Sequence, residues 1–523
     1  RINTYGSLGI NVENIRIHPD NTGPPQDFGY VYLGVPIGHR HYCTTQLSTL
    51  VDRYCLTCNR DNIIPSTRQK WVYLLWVIKQ KFVFWFKHMC PSITLPESGR
   101  IETFLKTKFQ EIAGFNVKDE EWIQATLPIK SHGCGLTLPG TVITAAFPAF
   151  VEETLKAVQR ILGKAPHLQY FNSNKGIDED FLALPEDAQI TINEYNTLKE
   201  RIIQCAQATD AKWTDARISQ EKPDHKLQHF YHTFLNNFNV MSYETRIHGD
   251  DEVSKFHKAR TFSNDGNIAG AWLHEIPRKG ERHWDNITFR RALKLRLGAS
   301  FFDRPPSCRC KARNPIIDKN VVHSFICKLC TSSIKARHDA LVHDFRALCK
   351  AAALHWITPR PGTLRTPSPD DRDVIPDGAI HGLDEQPIYI DVTVGHPTCQ
   401  YYLEKKGSAV TPHVTSDFRE DVKVRKYKRI CGLNESTFIP LAFETYGTYS
   451  DQTENLVKRL VGVAKDIHHC DFSSLLNYWR RRFSSTLQYF NAQIINESYL
   501  LNSISEDDGP MERNFYNGLC YGF

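Results

Sequence analysis

Two acidic residues stand where they could share a metal ion. Asp377 follows Pro376 and precedes Gly378; beyond residues 378–390 comes Asp391, set in the apolar run Ile388-Tyr389-Ile390-Asp391-Val392-Thr393-Val394. Carboxylates from neighbouring strands can hold a hard, oxygen-seeking divalent cation, of which Mg²⁺ is the usual choice. Such a cation activates water and stabilises the leaving oxygen in phosphodiester cleavage, while a nearby ammonium neutralises the charge that develops. Position 393, two residues beyond the second acid, is a threonine, so the ammonium must come from elsewhere. Lys423 and Lys426, in the run Lys423-Val424-Arg425-Lys426-Tyr427-Lys428-Arg429, are the candidates. The competing explanation is that Asp377 merely opens a Pro-Asp-Gly turn and Asp391 is an incidental strand acid.

A second constellation is suited to a softer metal. Cys308, Cys310, His323 and Cys327 bring thiolates and an imidazole together at spacings that satisfy tetrahedral zinc, with Cys330 as an alternative ligand because the set offers one donor too many. A zinc ion there would staple a small loop that lacks a core of its own. His41, Cys43, Cys55 and Cys58 look superficially similar, but the helical stretch Leu47 to Tyr54 between them and the absence of flanking turn residues argue against a site.

Basic and aromatic residues interleave from Lys79 through Lys81 and Lys87 to His88, and again from Tyr478 to Phe483. Surfaces of this kind neutralise phosphates and stack on bases. An amphipathic helix with a solvated charged stripe produces the same pattern. Arg425 and Lys428 add to the basic surface around the candidate lysines.

The elements that must position these residues follow from periodicity. Short alternating segments, Gly9 to Val12 and Tyr30 to Pro36, flank the turn-rich Pro19 to Pro25 and suggest the end of a sheet. From Thr44 to Phe115 apolar residues recur at helical intervals, with a long helix from Arg68 to Cys90 that starts at Pro65-Ser66-Thr67 and stops at Pro91. Gly133-Cys134-Gly135-Leu136 is a turn, and a further helix runs to about Leu162. Residues 166–290 are polar and weakly periodic, a linker with some helices. The cysteine-rich segment Cys308–Cys330 precedes a helix from Ser332 to Trp356, and the Pro, Thr and Ser-rich stretch Pro359 to Pro369 marks a boundary. Beyond it strand and helix alternate: Val374 to Ile380, Ile388 to Val394, a basic segment from Asp417 to Ile430, Phe438 to Phe443, then helices from Asp451. This is the order of an α/β sheet domain.

Composition bounds the class. With 523 residues, 41% hydrophobic and 23% charged, the chain suits several globular domains rather than a disordered or membrane protein. The most apolar run, Trp71 to Phe86, is interrupted by Lys79, Gln80 and Lys81, so no membrane span is expected. A net charge of +6 with clustered basic residues favours polyanionic partners. The 15 cysteines, without a secretory leader, suggest reduced thiols and a nuclear location with cytoplasmic assembly. The opening Arg1-Ile2-Asn3 reads as a piece of a longer chain.

In this order the motifs resemble the polyproteins of site-specific non-LTR (LINE-type) retrotransposons that end in a restriction-like endonuclease of the Pro-Asp…Asp/Glu-x-Lys type. Ser7 to Asn11 and Tyr32 to Pro36 resemble the end of a reverse transcriptase palm and the entry to its thumb, and Leu127 to Leu136 a later thumb motif. Arg291 to Arg296 leads into a Cys-Cys-His-Cys zinc knuckle, followed by the basic stretch Arg337-His338-Asp339. The family's Pro-Asp falls on Pro376 and Asp377, its second acid on Asp391, and its Lys-x-x-Lys-Tyr on Lys423, Lys426 and Tyr427. The chain departs from the pattern at Ile375, where a basic residue is usual, at Arg16, where lysine is usual, and in a longer first loop of the knuckle.

The resemblance implies a multidomain protein: palm end at 1–43, mainly α thumb at 44–165, helical linker at 166–300, zinc knuckle and basic helix at 301–358, and an α/β endonuclease at 359–523. It implies Zn²⁺ as a structural ion and Mg²⁺ in the nuclease, with target duplex DNA and element RNA as partners. Asp377, Asp391, Lys423, Lys426 and Tyr427 would form the catalytic site; Lys79, Lys81, Lys87, Arg337, His338, Arg425 and Lys428 would contact nucleic acid. The polymerase carboxylates would lie upstream of residue 1, and the nick would prime RNA-directed DNA synthesis. A catalytically inactive nucleic-acid-binding remnant is the alternative.

Overall fold

The computed structural model describes residues 24–27, 29–59, 63–163, 170–171, 178–223, 225–276, 284–302, 307–310, 317–362, 364–366 and 375–503. The expected strand at Gly9 to Val12 and Arg16 lie outside them. The described chain is mostly helical, with a small mixed sheet and a Cys/His cluster. No helix among the described residues is long and apolar enough to cross a membrane. The chain divides into two compact units, one of Arg1–Pro65, Tyr73–Phe109 and Thr137–Met241, the other of Ser66–Val72, Gln110–Leu136 and Ser242–Phe523.

The first unit begins with a hairpin, β1 (Gly29–Tyr32) and β2 (Val35–Gly38), paired antiparallel. The chain reverses at Leu33 and Gly34, both at positive φ as a two-residue hairpin turn of this hand demands. Trp85 Nε1 donates to the Gly34 carbonyl at 3.0 Å and fixes that turn. Helices α1 (Arg40–Cys58), α2 (Lys79–His88), α3 (Pro91–Ala113), α4 (Pro139–Leu162), α5 (Glu186–Thr209) and α6 (Leu227–Arg246) follow. The run expected as one helix from Arg68 is interrupted before α2 by a π-helical turn at Leu74–Ile78. Pro91 both ends that run and opens α3, because a first-turn residue has no N–H bond to lose.

Residues 166–290 are not a linker. Within this unit Ile202 and Cys205 of α5 and Tyr231, Phe234 and Leu235 of α6 pack with Ala145 and Ala149 of α4 in one buried cluster. Each large side chain among them, such as Ile202, Phe234 or Leu235, contributes roughly 1.5–3 kcal/mol on withdrawal from water. The polar composition that suggested a linker covers the outer faces of these helices.

The second unit holds a four-stranded sheet. Helix α7 (Thr331–Ala351) leads to β3 (His355–Ile357), β4 (Gly378–His381), β5 (Ile388–Gly395), α8 (Val414–Leu433), β6 (Thr437–Glu444), α9 (Asp451–His468) and α10 (Phe472–Ser503). The strand order is β3-β4-β5-β6, antiparallel except for the parallel pair β5 and β6. Parallel neighbours need a crossover, which α8 supplies. Pro440, opposite Asp391, is tolerated because β6 is an edge strand with no ladder on its far side.

Alternation along β5 decides which residues reach the core. Ile388, Ile390 and Val392 join Leu341, Phe345 and Leu348 of α7, Leu456 and Leu460 of α9 and Phe483 of α10. Tyr389 turns to the other face, where it packs with Tyr427 and Ile430 of α8. Because α7 and β3 share this core and ladder with β4 to β6, the boundary expected at 359–369 falls inside one compact unit.

Candidate functional site

Asp377 sits one residue before β4 and Asp391 inside β5. The backbone N–H of Asp377 donates to Ile390 O at 2.9 Å, which extends the ladder and sets the two acids on adjacent strands. The two-residue period that buries Ile390 and Val392 directs Asp391 to the α8 face. There Lys423 Nζ lies 2.6 Å from Asp391 Oδ1, and Asp391 is only 4% exposed. The Val392 N–H donates to Asp377 Oδ2 at 2.7 Å, orienting that carboxylate towards β5.

A third side chain completes the group. His338, from α7, places Nε2 2.9 Å from Asp377 Oδ2, while its Nδ1 is 3.0 Å from Asp339 Oδ1. One ligand atom each of His338, Asp377 and Asp391 lies within 4.8 Å of the others. The hydrogen bond to Asp377 carries the imidazole up to about 9, against the burial that lowers it. The sequence alone suggests a nucleic-acid surface for His338; no spacing rule links a histidine near the start of α7 to an acid just ahead of β4.

Of the two candidate lysines, only Lys423 is paired with a carboxylate of this group; Lys426 is exposed, with its ammonium 5.0 Å from the Tyr427 ring centre. Tyr427 is buried, donates to Ile375 O at 2.8 Å, and stacks on Phe438. Burial and the Asp391 carboxylate push its phenol well above the ordinary range. It braces the segment that delivers Asp377, and its hydroxyl is not free in solvent.

The Cys/His cluster converges. Cys308, Cys310, His323 and Cys327 offer ligand atoms all within 4.8 Å of one another. Cys308 Sγ to Cys327 Sγ is 3.6 Å and Cys310 Sγ to His323 Nε2 is 3.4 Å. Tetrahedral zinc, with bonds of about 2.3 Å to sulfur and 2.0–2.1 Å to nitrogen, sets sulfurs roughly 3.8 Å apart and sulfur from nitrogen roughly 3.6 Å, whereas a disulfide needs about 2.05 Å. The cluster could therefore hold a metal such as zinc. The alternative ligand Cys330 is outside the set and instead buried in the surrounding core. Asp318 shapes the loop by accepting from the N–H groups of Asn320, Val322 and His323. The resembling set of His41, Cys43, Cys55 and Cys58 does not converge among the described residues; Cys43, Cys55 and Cys58 are carried on α1.

Several residues expected to contact nucleic acid are engaged otherwise. Arg337 is 4% exposed, donates to Asn491 Oδ1 at 2.7 Å, and has its guanidinium pulled down to about 9 by burial, so it cannot reach a phosphate. In α2 the interleaved Phe82, Trp85 and Phe86 are core residues and unavailable for stacking. Lys87 is paired with Glu153 at 3.3 Å, Lys81 lies over Phe84 and Trp85, and burial lowers the Lys79 ammonium to about 8. Trp479 and Phe483 are likewise buried, with Arg480 paired to Glu454 and Arg482 to Asp344. In both segments these aromatic side chains point inward, as they do on an amphipathic helix. Arg425 and Lys428 remain exposed on α8.

A groove of 540 Å³ that sequence reasoning missed is lined by His343, Arg346, Ala347 and Lys350 of α7 with Leu354 and Trp356. The spacing 343, 346, 347, 350 is one helix face. The Trp356 indole covers Gly378, where any Cβ would come within 2.1 Å of the ring, so the groove adjoins the residue after Asp377.

No protein-family model matches the chain, and no curated protein matches it.

Proposed function

We propose that the second unit is a metal-dependent DNA endonuclease within a retrotransposon-type polyprotein. The observation that carries this reading is the convergence of Asp377 and Asp391 from adjacent strands with Lys423 on the second acid. The two carboxylates bring oxygen donors together, the type that a hard divalent cation such as Mg²⁺ favours. Bound there, the cation would supply Lewis-acid charge to a phosphate and lower the pKa of water.

The chain's own groups supply the rest. Lys423, held by Asp391, puts a positive charge beside the position where phosphate charge grows. Asp377, oriented by the Val392 N–H, keeps its direction without rearranging. Arg346 and Lys350 along the groove, and Arg425 and Lys428 on α8, would neutralise backbone phosphates on the way to the site. The Cys₃His cluster holds zinc in this reading and anchors the loop that enters α7.

Nicking of supercoiled plasmid by the purified chain tests the proposal. Nicking with Mg²⁺ that stops in EDTA supports it. Salt-dependent DNA binding without nicking identifies a nucleic-acid-binding remnant, and the absence of both rejects any nucleic-acid function for this unit.

A further inference from the structure

Beside the two acids, the site contains an imidazole that the proposed chemistry does not use. His338 Nε2 lies 2.9 Å from Asp377 Oδ2, and its ligand atom belongs to the same convergent set as those of Asp377 and Asp391. We propose that His338 is a third ligand of the divalent cation through Nε2, so that the centre is of mixed nitrogen and oxygen type and selects Mn²⁺ over Mg²⁺. The inference rests on the endonuclease reading.

Three observations carry it. First, one donor atom each of His338, Asp377 and Asp391 lies within 4.8 Å of the others, with Lys423 on Asp391 Oδ1. Second, the distal nitrogen of the ring is held: Nδ1 is 3.0 Å from Asp339 Oδ1. A metal-binding imidazole nearly always gives its other N–H to a carboxylate or carbonyl, which fixes the tautomer and aims the lone pair. To ligate, Nε2 gives up the proton it shares with Asp377, because a metal-bound imidazole is neutral. Third, α7 presents His338 from a rigid position, because Leu341, Phe345 and Leu348 of the same helix are in the core against β4 and β5.

The selectivity follows from ligand chemistry. Mg²⁺ demands oxygen ligands and keeps its waters, so an imidazole adds little to its affinity. Mn²⁺ accepts oxygen and nitrogen together, and affinity for nitrogen-containing sites rises along the transition series from Mn²⁺ onward. Replacing the imidazole should therefore weaken Mn²⁺ far more than Mg²⁺. The third ligand also compensates for a site with only two acids, one of which is shared with Lys423.

The test is Mn²⁺ binding to the zinc-loaded full chain without DNA, followed by electron paramagnetic resonance, in wild type, His338→Ala, His338→Asp and Asp391→Ala. The wild-type spectrum is expected to show the nitrogen coupling of a directly bound imidazole. His338→Ala should lose that coupling and bind Mn²⁺ on the order of tenfold more weakly, while Mg²⁺ competes with undiminished affinity, which also shows that the variant is folded. His338→Asp should retain Mn²⁺ binding without nitrogen coupling and lose the preference over Mg²⁺. If wild type lacks the coupling and His338→Ala binds Mn²⁺ equally well while Asp391→Ala does not, the acids alone hold the cation; the inference then falls and the nuclease reading stands. If wild type binds no Mn²⁺, both fall.

Discussion

At the scale of single residues, the site depends on pairs whose members come from distant parts of the sequence. Lys423 and Asp391 meet at 2.6 Å with both side chains largely withdrawn from water. Lys423→Ala should lower the nicking rate on the order of 10²–10³-fold, whereas Lys426→Ala, which removes an exposed ammonium, should change it less than about tenfold; single-turnover nicking under saturating DNA distinguishes the two. Equal effects would mean that the pairing with Asp391 is irrelevant to the chemistry. The acids were legible because a Pro-Asp turn and an acid inside a β-branched run are both locally unusual. His338 was not, since only the packing of α7 against the sheet brings it to Asp377. Arg337, its neighbour, was misread for a related reason: a helix presents adjacent residues in different directions, so one reaches the site and the other Asn491.

At the scale of elements, α8 does two tasks, crossing over to β6 and carrying Lys423, and it accommodates a buried acid to do so. Burial, reinforced by Asp417, Asp421 and Asp451, raises the Glu420 carboxyl from 4.5 to about 7, against a hydrogen bond with Ser450 that acts the other way. The fold thus favours the protonated form. The associated stability is fully present below the ordinary value, near 4.5, and is lost as pH rises through about 7. Glu420→Gln should therefore stabilise the unit at pH 8 by on the order of 1 kcal/mol and hardly at pH 4.5; melting temperatures at the two pH values check this, and an equal shift at both contradicts it. On α7, replacing Arg346 and Lys350 by alanine should weaken DNA binding for all sequences alike and reduce the salt slope by about two; an unchanged slope would remove the groove from the DNA path. The helices and the strands β5 and β6 were visible as periodicity and β-branched runs. Strand β3, from His355 to Ile357, is indistinguishable in sequence from the tail of the helix before it, because three residues are too few to show a period.

At the scale of the whole molecule, the loop that carries the Cys/His cluster and the sheet share a core. Phe325, Cys327 and Cys330 pack with Tyr446, which follows β6, and with Ile494 and Ile495 of α10. Glu497 of α10 takes the Ser332 hydroxyl and, at 3.2 Å, the Ser333 N–H, which secures the first turn of α7. With zinc in the cluster as proposed, its removal by a strong chelator, or Cys308→Ser, should therefore lower the melting temperature of the second unit by several degrees instead of releasing a small loop. An unchanged transition would show an independent knuckle. A cysteine-rich segment reads naturally as a separate module, because sequence gives ligand spacing but not what the loop packs against. The same limit made residues 166–290 a linker, although α5 and α6 bury a core.

A metal-dependent nuclease site built on Asp377 and Asp391 is probed by the nicking rate of Asp391→Asn in Mg²⁺. This change keeps the shape of the side chain and removes its charge. A loss on the order of 10²–10³-fold is expected, with the melting temperature and DNA affinity close to wild type. Nicking by Asp391→Asn at the wild-type rate would contradict it and place any cleavage elsewhere in the chain.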